Sequence, residues 1–145
     1  MAVPYEEFYL DITEADTQHV SLANGTANIW SAVITITPKE REVFIFEAGK
    51  TALYMYLADS TPTELDDSTP VRIVVEDPSG TKRKIITTSQ YKRFKELQDI
   101  DKKYYFPTTI ILRPYCKLKI EVKASAAASS GQTKLVVSEV RYITY

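Results

Sequence analysis

The chain reads as an all-β sandwich on three observations. A hairpin of clear turn chemistry sits at its centre, strands recur at nearly regular intervals after residue 29, and helical spacing is confined to one short stretch. The hairpin is Val71 to Thr87, VRIVVEDPSGTKRKIIT. Asp77-Pro78-Ser79-Gly80 supplies an Asx acceptor, a proline with φ preset and a glycine free to take positive φ, the order a type I hairpin turn prefers. With the usual glycine bulge, Asp77 faces Thr81, Glu76 faces Lys82, Ile73 faces Ile85 and Val71 faces Thr87. One face is then Val71, Ile73, Val75 and Ile85, and the other is Arg72, Glu76, Lys82 and Lys84, a half-buried antiparallel pair.

The remaining elements follow in chain order. Residues 1–28 form an N-terminal arm: Tyr5 to Ile12 alternates weakly, with Phe8, Leu10 and Ile12 on one side, and Thr13 to Asn28 is polar with an Asn24-Gly25 turn. Such an arm either adds an edge strand or docks on a neighbouring subunit. From residue 29 to 145 the pattern is that of the sandwich body. Ile29 to Thr37 puts Trp30, Ala32, Ile34 and Ile36 on one face and stops at Pro38. Val43 to Glu47 follows. Thr51 to Ala58 then alternates Leu53, Met55 and Leu57 against Tyr54 and Tyr56, an aliphatic face toward a core and a tyrosine face toward an interface or water.

After the hairpin, Ser89 is placed to cap a helix of one or two turns carrying Tyr91, Phe94 and Leu97 at three-residue spacing. Tyr104 to Pro107 re-enters the sandwich, and Thr108 to Leu112 is a strand ended by Arg113-Pro114. Cys116, Leu118, Ile120 and Val122 then alternate inward against Lys117, Lys119, Glu121 and Lys123. Ser125 to Thr133 is a small, polar loop, and Lys134 to Thr144 is a long last strand with a bulge near Ser138. The eight strand candidates after residue 29 are the number a two-sheet jelly roll uses.

Bulk properties narrow the function classes. A chain of 145 residues is one domain's length and buries roughly 70% of its unfolded surface, so neither metal nor disulfide is needed for a core. Eighteen basic against nineteen acidic residues give a net charge of -1, no electrostatic reason to expect nucleic acid or an anionic membrane as partner. The cluster Lys82, Arg83, Lys84 is expected to be a solvated strand edge. No apolar stretch approaches the roughly 18 residues of a membrane helix, and MAVPYEEFYLDI lacks a basic segment before an apolar run, so neither insertion nor export by a visible signal is expected. Four glycines, two methionines and one cysteine beside ten tyrosines make a composition low in thermolabile and flexible residues, as in proteins from hot sources.

Catalytic chemistry finds little support. His19, the single histidine, lies in the polar arm far in sequence from Cys116, and Cys116 alternates inward as a buried, inert thiol. The loop with Asp59, Glu64, Asp66 and Asp67 has oxygen ligands but neither the alternation nor the central glycine of an EF-hand. Glu76 with Glu121 is an arbitrary carboxylate pair, and no phosphate loop, GxSxG, HExxH or CxxC occurs. The sequence therefore points to no enzyme, no cofactor and no metal. Trp30, Tyr54, Tyr56, Tyr104, Tyr105, Tyr115, Tyr142 and Tyr145 fit either a sugar-stacking platform, a subunit interface or simple packing.

Two blocks, TALYMYLADSTPTELDDSTPVRIVVEDPSG from Thr51 and FPTTIILRPYCKLKIEVKAS from Phe106, resemble the jelly-roll auxiliary head (decoration or cement) proteins of tailed bacteriophages, especially thermophilic long-tailed phages. The resemblance implies an eight-stranded antiparallel jelly-roll sandwich and a homotrimer on the outer surface of a virion. It also implies that the trimer, made in the host cytoplasm, grips the major capsid protein and neighbouring decoration trimers. Tyr5, Phe8, Tyr9, Leu10, Tyr54, Tyr56 and Tyr145 are the partner-binding candidates. A carbohydrate- or receptor-binding jelly-roll module is the alternative.

Overall fold

A computed structural model of the chain describes residues 6–13, 30–58, 63–123 and 134–145. These carry ten strands and one helix: β1 (Glu6–Thr13), β2 (Ser31–Ile36), β3 (Glu42–Phe46), β4 (Ala52–Tyr56), β5 (Pro70–Glu76), β6 (Arg83–Gln90), α1 (Tyr91–Glu96), β7 (Tyr104–Tyr105), β8 (Ile110–Leu112), β9 (Lys117–Val122) and β10 (Lys134–Thr144). The strands number ten, not eight. β7 is a two-residue pairing too short to show a period, and β1 joins the same sheet as the body by pairing along β10.

All pairings are antiparallel, in a four-stranded sheet of order β2-β9-β5-β6 and a six-stranded one. In the larger sheet β1 lines one edge of β10 from Val136 to Thr144, so β4 and β3 share its other edge in succession. β4 leads on to β7, and β3 to β8. The inner faces meet in one core, with Ile34, Phe46, Leu53, Ile73, Phe106, Leu112, Leu118, Ile120 and Val137 among its members. β4 and β9 alternate as their sequences require: Leu53 and Met55 are buried opposite half-buried Tyr54 and Tyr56, and Leu118, Ile120 and Val122 are buried in a row.

Local registers differ from strict alternation at bulges. Between Leu10 and Ile12 of β1 the β10 partners are Val140 and Val137, an extra residue at Ser138 and Glu139, where the sequence places its bulge. Glu139 takes φ 58 there. A second bulge lies at Val33, so Ile34 and Ile36 face the core while Trp30 and Ala32, expected on that face, do not join it. The central hairpin pairs Glu76 with Arg83, Val74 with Ile85, Ile73 with Thr87 and Val71 with Ser89, not with the partners expected.

The cause is local hydrogen bonding at the turn. Gly80 N–H donates to the Asp77 carbonyl as a type I turn requires, but Asp77 N–H then pairs with Lys82. Thr81 is held out of the ladder by Ser79, whose hydroxyl bonds Thr81 and the Asp77 carboxylate. A further bulge at Ile86 moves the register once more and leaves Ile85 exposed, not core-facing.

Ser89 does not cap the helix; it belongs to β6. Tyr91 and Lys92 N–H groups instead donate to the carbonyls of Thr69 and Asp67, which satisfies the first turn from a neighbouring loop. Tyr91 and Phe94 are buried, whereas Leu97 is exposed. The polar part of the arm and the loop from Ser125 to Thr133 lie outside the described residues.

Candidate functional site

The outer face of the six-stranded sheet is built by alternation. Because Leu53 and Met55, Phe46, Ile110 and Leu112, and Leu135, Val137 and Val140 face the core, their strand neighbours face out. The bulge in β10 divides this face into two halves. Toward the start of β10, Tyr54 pairs across from Val136 and Tyr56 from Lys134, with Tyr105 nearby on β7. The Tyr105 hydroxyl donates to Asp99 at 2.9 Å, which raises the hydroxyl's pKa, while the Lys103 N–H first and this hydroxyl second hold the Asp99 carboxyl below its ordinary range.

Toward the end of β10 the face is aliphatic. Val43 lies opposite Ile143, and Ile45 lies between Arg141 and Ile111. Ile111 is 61% exposed. A polar waist separates the halves. The Tyr9 hydroxyl donates to Glu47 at 2.9 Å, the Lys50 ammonium sits 3.7 Å over the Tyr9 ring, and Arg141 Nε meets Glu7 Oε1 at 2.5 Å. The hydrogen bond from Arg141 holds the Glu7 carboxyl below the usual range, and contact with Tyr9 raises the Lys50 ammonium. Buried Thr51 fixes the bulge by accepting Glu47 N–H and donating to the Glu139 carbonyl, both at 2.8 Å.

This face collects Tyr9, Tyr54 and Tyr56 from the sequence candidates. Phe8 and Leu10 point to the inner side. Leu10 packs against the core, and the Phe8 ring lies 4.6 Å from Tyr142, itself 5.3 Å from Phe44 and hydrogen-bonded to the Glu42 carboxylate. Tyr145 is exposed at the chain's end, its N–H bonded to the Arg41 carbonyl. Tyr5, His19 and Asp59 lie outside the described residues. The aliphatic half was not among the candidates. Its signal is the pair of unbroken apolar runs Val43 to Phe46 and Ile110 to Leu112, the pattern of strands covered on both faces.

The residues weighed for chemistry are engaged elsewhere. Glu64 and Asp67 converge on Lys95 Nζ at 2.8 and 2.5 Å and raise its pKa, and Asp66 accepts from Ser68. Among the described residues no three His, Cys, Asp or Glu side chains gather as metal ligands. Glu76 and Glu121 stand on the outer face of the four-stranded sheet, yet each is only 6% exposed. Arg83 bridges them, with Nε 2.6 Å from Glu76 and Nη2 2.9 Å from Glu121. Lys119 adds a bond to Glu76 at 2.8 Å, and Arg72 one to Glu121 at 2.7 Å while stacking 4.0 Å over Trp30. This is an ion-pair plate, with no carboxylate left to act on a substrate. Cys116 is half-buried against the core. A cleft of about 180 Å³ between β6 and α1 has Arg93 and Tyr104 as its ionisable lining, without an acid and base pair.

No protein-family model matches the chain, and no curated protein matches it in sequence. Its fold is similar to that of two solved structures. VP17, a capsid protein of bacteriophage P23-77, superposes with a TM-score of 0.68 at 9% identity over 99% of this chain and 99% of that one. The VP16-VP17 complex, a complex of the two major capsid proteins of the same phage, matches with a TM-score of 0.68 at 9% identity over 94% of this chain and 98% of that one.

Proposed function

We propose that this chain is a structural protein of a phage virion, and more specifically a decoration protein that binds the outside of the shell and stabilises it by contact area. The observation that carries the reading is the likeness in fold to a capsid protein over 99% of this chain and 99% of that one. Strand order supports it. We read β1-β10-β4-β7 beside β2-β9-β5-β6 as the strand order of a jelly roll, with β3 and β8 as additions to it. A rigid sandwich with one outer face rich in tyrosine suits a protein whose work is to be gripped.

In this reading the tyrosine half of the outer face, Tyr54 and Tyr56, meets the major capsid protein, and many weak contacts repeated over the shell add up. The test is co-sedimentation of the purified chain with expanded capsids that lack it. Tyr54→Ser with Tyr56→Ser is expected to lower occupancy while the fold, read by circular dichroism, persists. Unchanged occupancy would reject the assignment of the surface, and no binding by the parent chain would reject decoration. The same tyrosines, beside Tyr105 held by Asp99, support a sugar-binding platform as the second reading, which saturable glycan binding without capsid binding would favour.

A further inference from the structure

The helix α1 uses two of its faces differently. Tyr91 and Lys95, four residues apart, turn toward Leu57, Glu64 and Asp67: the Tyr91 hydroxyl accepts the Leu57 N–H, and the Lys95 ammonium meets both carboxylates. Arg93 and Leu97, again four apart, stand on another face and with Phe94 wall the cleft against Thr87, Thr88 and Ser89 of β6 and Tyr104 of β7. Leu97 breaks the apolar spacing of the helix here, 50% exposed at the rim while Phe94 is buried. The Phe94 ring packs on Tyr104 with centroids 4.8 Å apart.

The polar groups of the cleft are largely unengaged. A guanidinium has five N–H donors, and Arg93 uses one of them, from Nη1 to Glu96 Oε2 at a long 3.4 Å between two exposed side chains. The Ser89 hydroxyl makes no hydrogen bond within the described residues. Thr87, two residues back on the same face of β6, bonds the Tyr104 hydroxyl, and both oxygens keep acceptor capacity. Among the described residues β6 pairs with β5 alone, so alternate backbone N–H and C=O groups along it point out of the sheet's ladder. No carboxylate lines the cleft.

These groups select the occupant. A volume of about 180 Å³ lies below the roughly 300 Å³ at which sites for drug-sized ligands begin, so the cleft takes about one ring. An inorganic anion would answer Arg93 and leave the hydroxyls and the apolar wall unmatched. An amino acid would bring an ammonium that no carboxylate receives. A sugar ring with an acidic group matches every wall: the acid meets the guanidinium, the ring hydroxyls meet Thr87, Ser89 and the strand edge, and a C–H face lies on Leu97.

We propose that the cleft between β6 and α1 binds a single monosaccharide ring bearing an acidic group, with Arg93 on the acid and Ser89 and Thr87 on the ring hydroxyls. The site shares no residue with the Tyr54 and Tyr56 surface, and it stands or falls without the virion reading.

A heteronuclear NMR titration of the full chain tests it, with glucuronate and glucose 6-phosphate as the acidic sugars and glucose, acetate and inorganic phosphate as controls. The amides of residues 87–89, 93–97 and 104 shift and saturate with at least one acidic sugar at millimolar concentration, and every control binds about tenfold more weakly or not at all. Whichever acidic sugar binds more tightly identifies the acid as carboxylate or phosphate. Arg93→Gln weakens binding about tenfold and Ser89→Ala about threefold, with unchanged circular dichroism spectra. Failure of both acidic sugars to saturate would overturn the inference. So would shifts centred on Tyr54 and Tyr56, acetate or phosphate binding as tightly as the sugars, or a folded Arg93→Gln variant of unchanged affinity.

Discussion

Replacing Arg83 with Met tests whether the plate on the four-stranded sheet holds the fold. Met keeps an unbranched apolar stem and removes two bonds at once, to Glu76 at 2.6 Å and to Glu121 at 2.9 Å. Stripping the partner from a fully buried ion costs about 3–5 kcal/mol. Here each carboxylate keeps one cation, Lys119 or Arg72, and the Arg83 side chain is 40% exposed, so solvent screens part of the loss. The expected cost is about 1–2 kcal/mol in urea unfolding at pH 7.

Acid pH provides an internal control for the same variant. Burial pushes the Glu76 carboxyl up, but the bonds and charges of Lys119 and Arg83 outweigh it, and the net pKa falls below the ordinary value of 4.5. A carboxyl depressed in the folded state lends stability that is complete above 4.5 and lost as pH falls through the folded value. The gap between parent and variant should therefore be full at pH 7 and close in acid below 4.5. A variant within about 0.5 kcal/mol of the parent at pH 7, or a gap that persists unchanged in acid, would refute the reasoning.

Two further perturbations probe the turn and the helix. Tyr91→Phe leaves the Leu57 N–H, which donates to the Tyr91 hydroxyl at 3.1 Å, buried and unsatisfied, for a loss of about 1–3 kcal/mol in urea unfolding. Burial pushes that hydroxyl up to about 12, so its contribution is complete below pH 10 and fades as pH rises toward 12; melting temperatures across that range should fall less in the variant. Gly80→Ala meets no atom within 4 Å but must hold φ +75, so it should cost about 1 kcal/mol of backbone strain by the same urea assay. A much larger loss would mean that the turn tolerates no side chain.

Legibility in the sequence tracked how far apart the cooperating residues lie. Alternation gave the faces of β4 and β9 correctly because each residue's side depends only on its neighbours. Bulges break that rule, since one added residue inverts every side chain beyond it. The bulge at Ser138 shows as a change in apolar phase, whereas Val33 sits between Ala32 and Ile34, and Ile86 beside Ile85, so neither bulge leaves a trace in the period. The hairpin turn was legible and its register was not, because the Ser79 hydroxyl bonds Thr81 and the Asp77 carboxylate and adds a residue to the loop.

The aliphatic half of the outer face was hidden by its own excess: Val43 to Phe46 and Ile110 to Leu112 have no polar face to mark an outside. The plate was hidden by topology. Glu76 and Glu121 meet only because β9 lies beside β5 and β6 beyond it, and strand order in a sheet is not written in local pattern.

The two outer faces thus solve opposite problems. On the four-stranded sheet, charge sits on charge so closely that Val74 is fully buried on a face no other element of the described chain covers, and the surface is complete in itself. On the six-stranded sheet, half-buried Tyr54 and Tyr56 lie at one end of the outer face and exposed Ile111 at the other. If stability lives on the first face and association on the second, their variants must separate. Arg83→Met should lower the unfolding free energy and leave co-sedimentation with capsids unchanged, while Tyr54→Ser with Tyr56→Ser should lower that occupancy and leave unfolding within about 1 kcal/mol of the parent. Were both variants to move both readouts together, the faces would be coupled through the core and neither could be assigned a separate role.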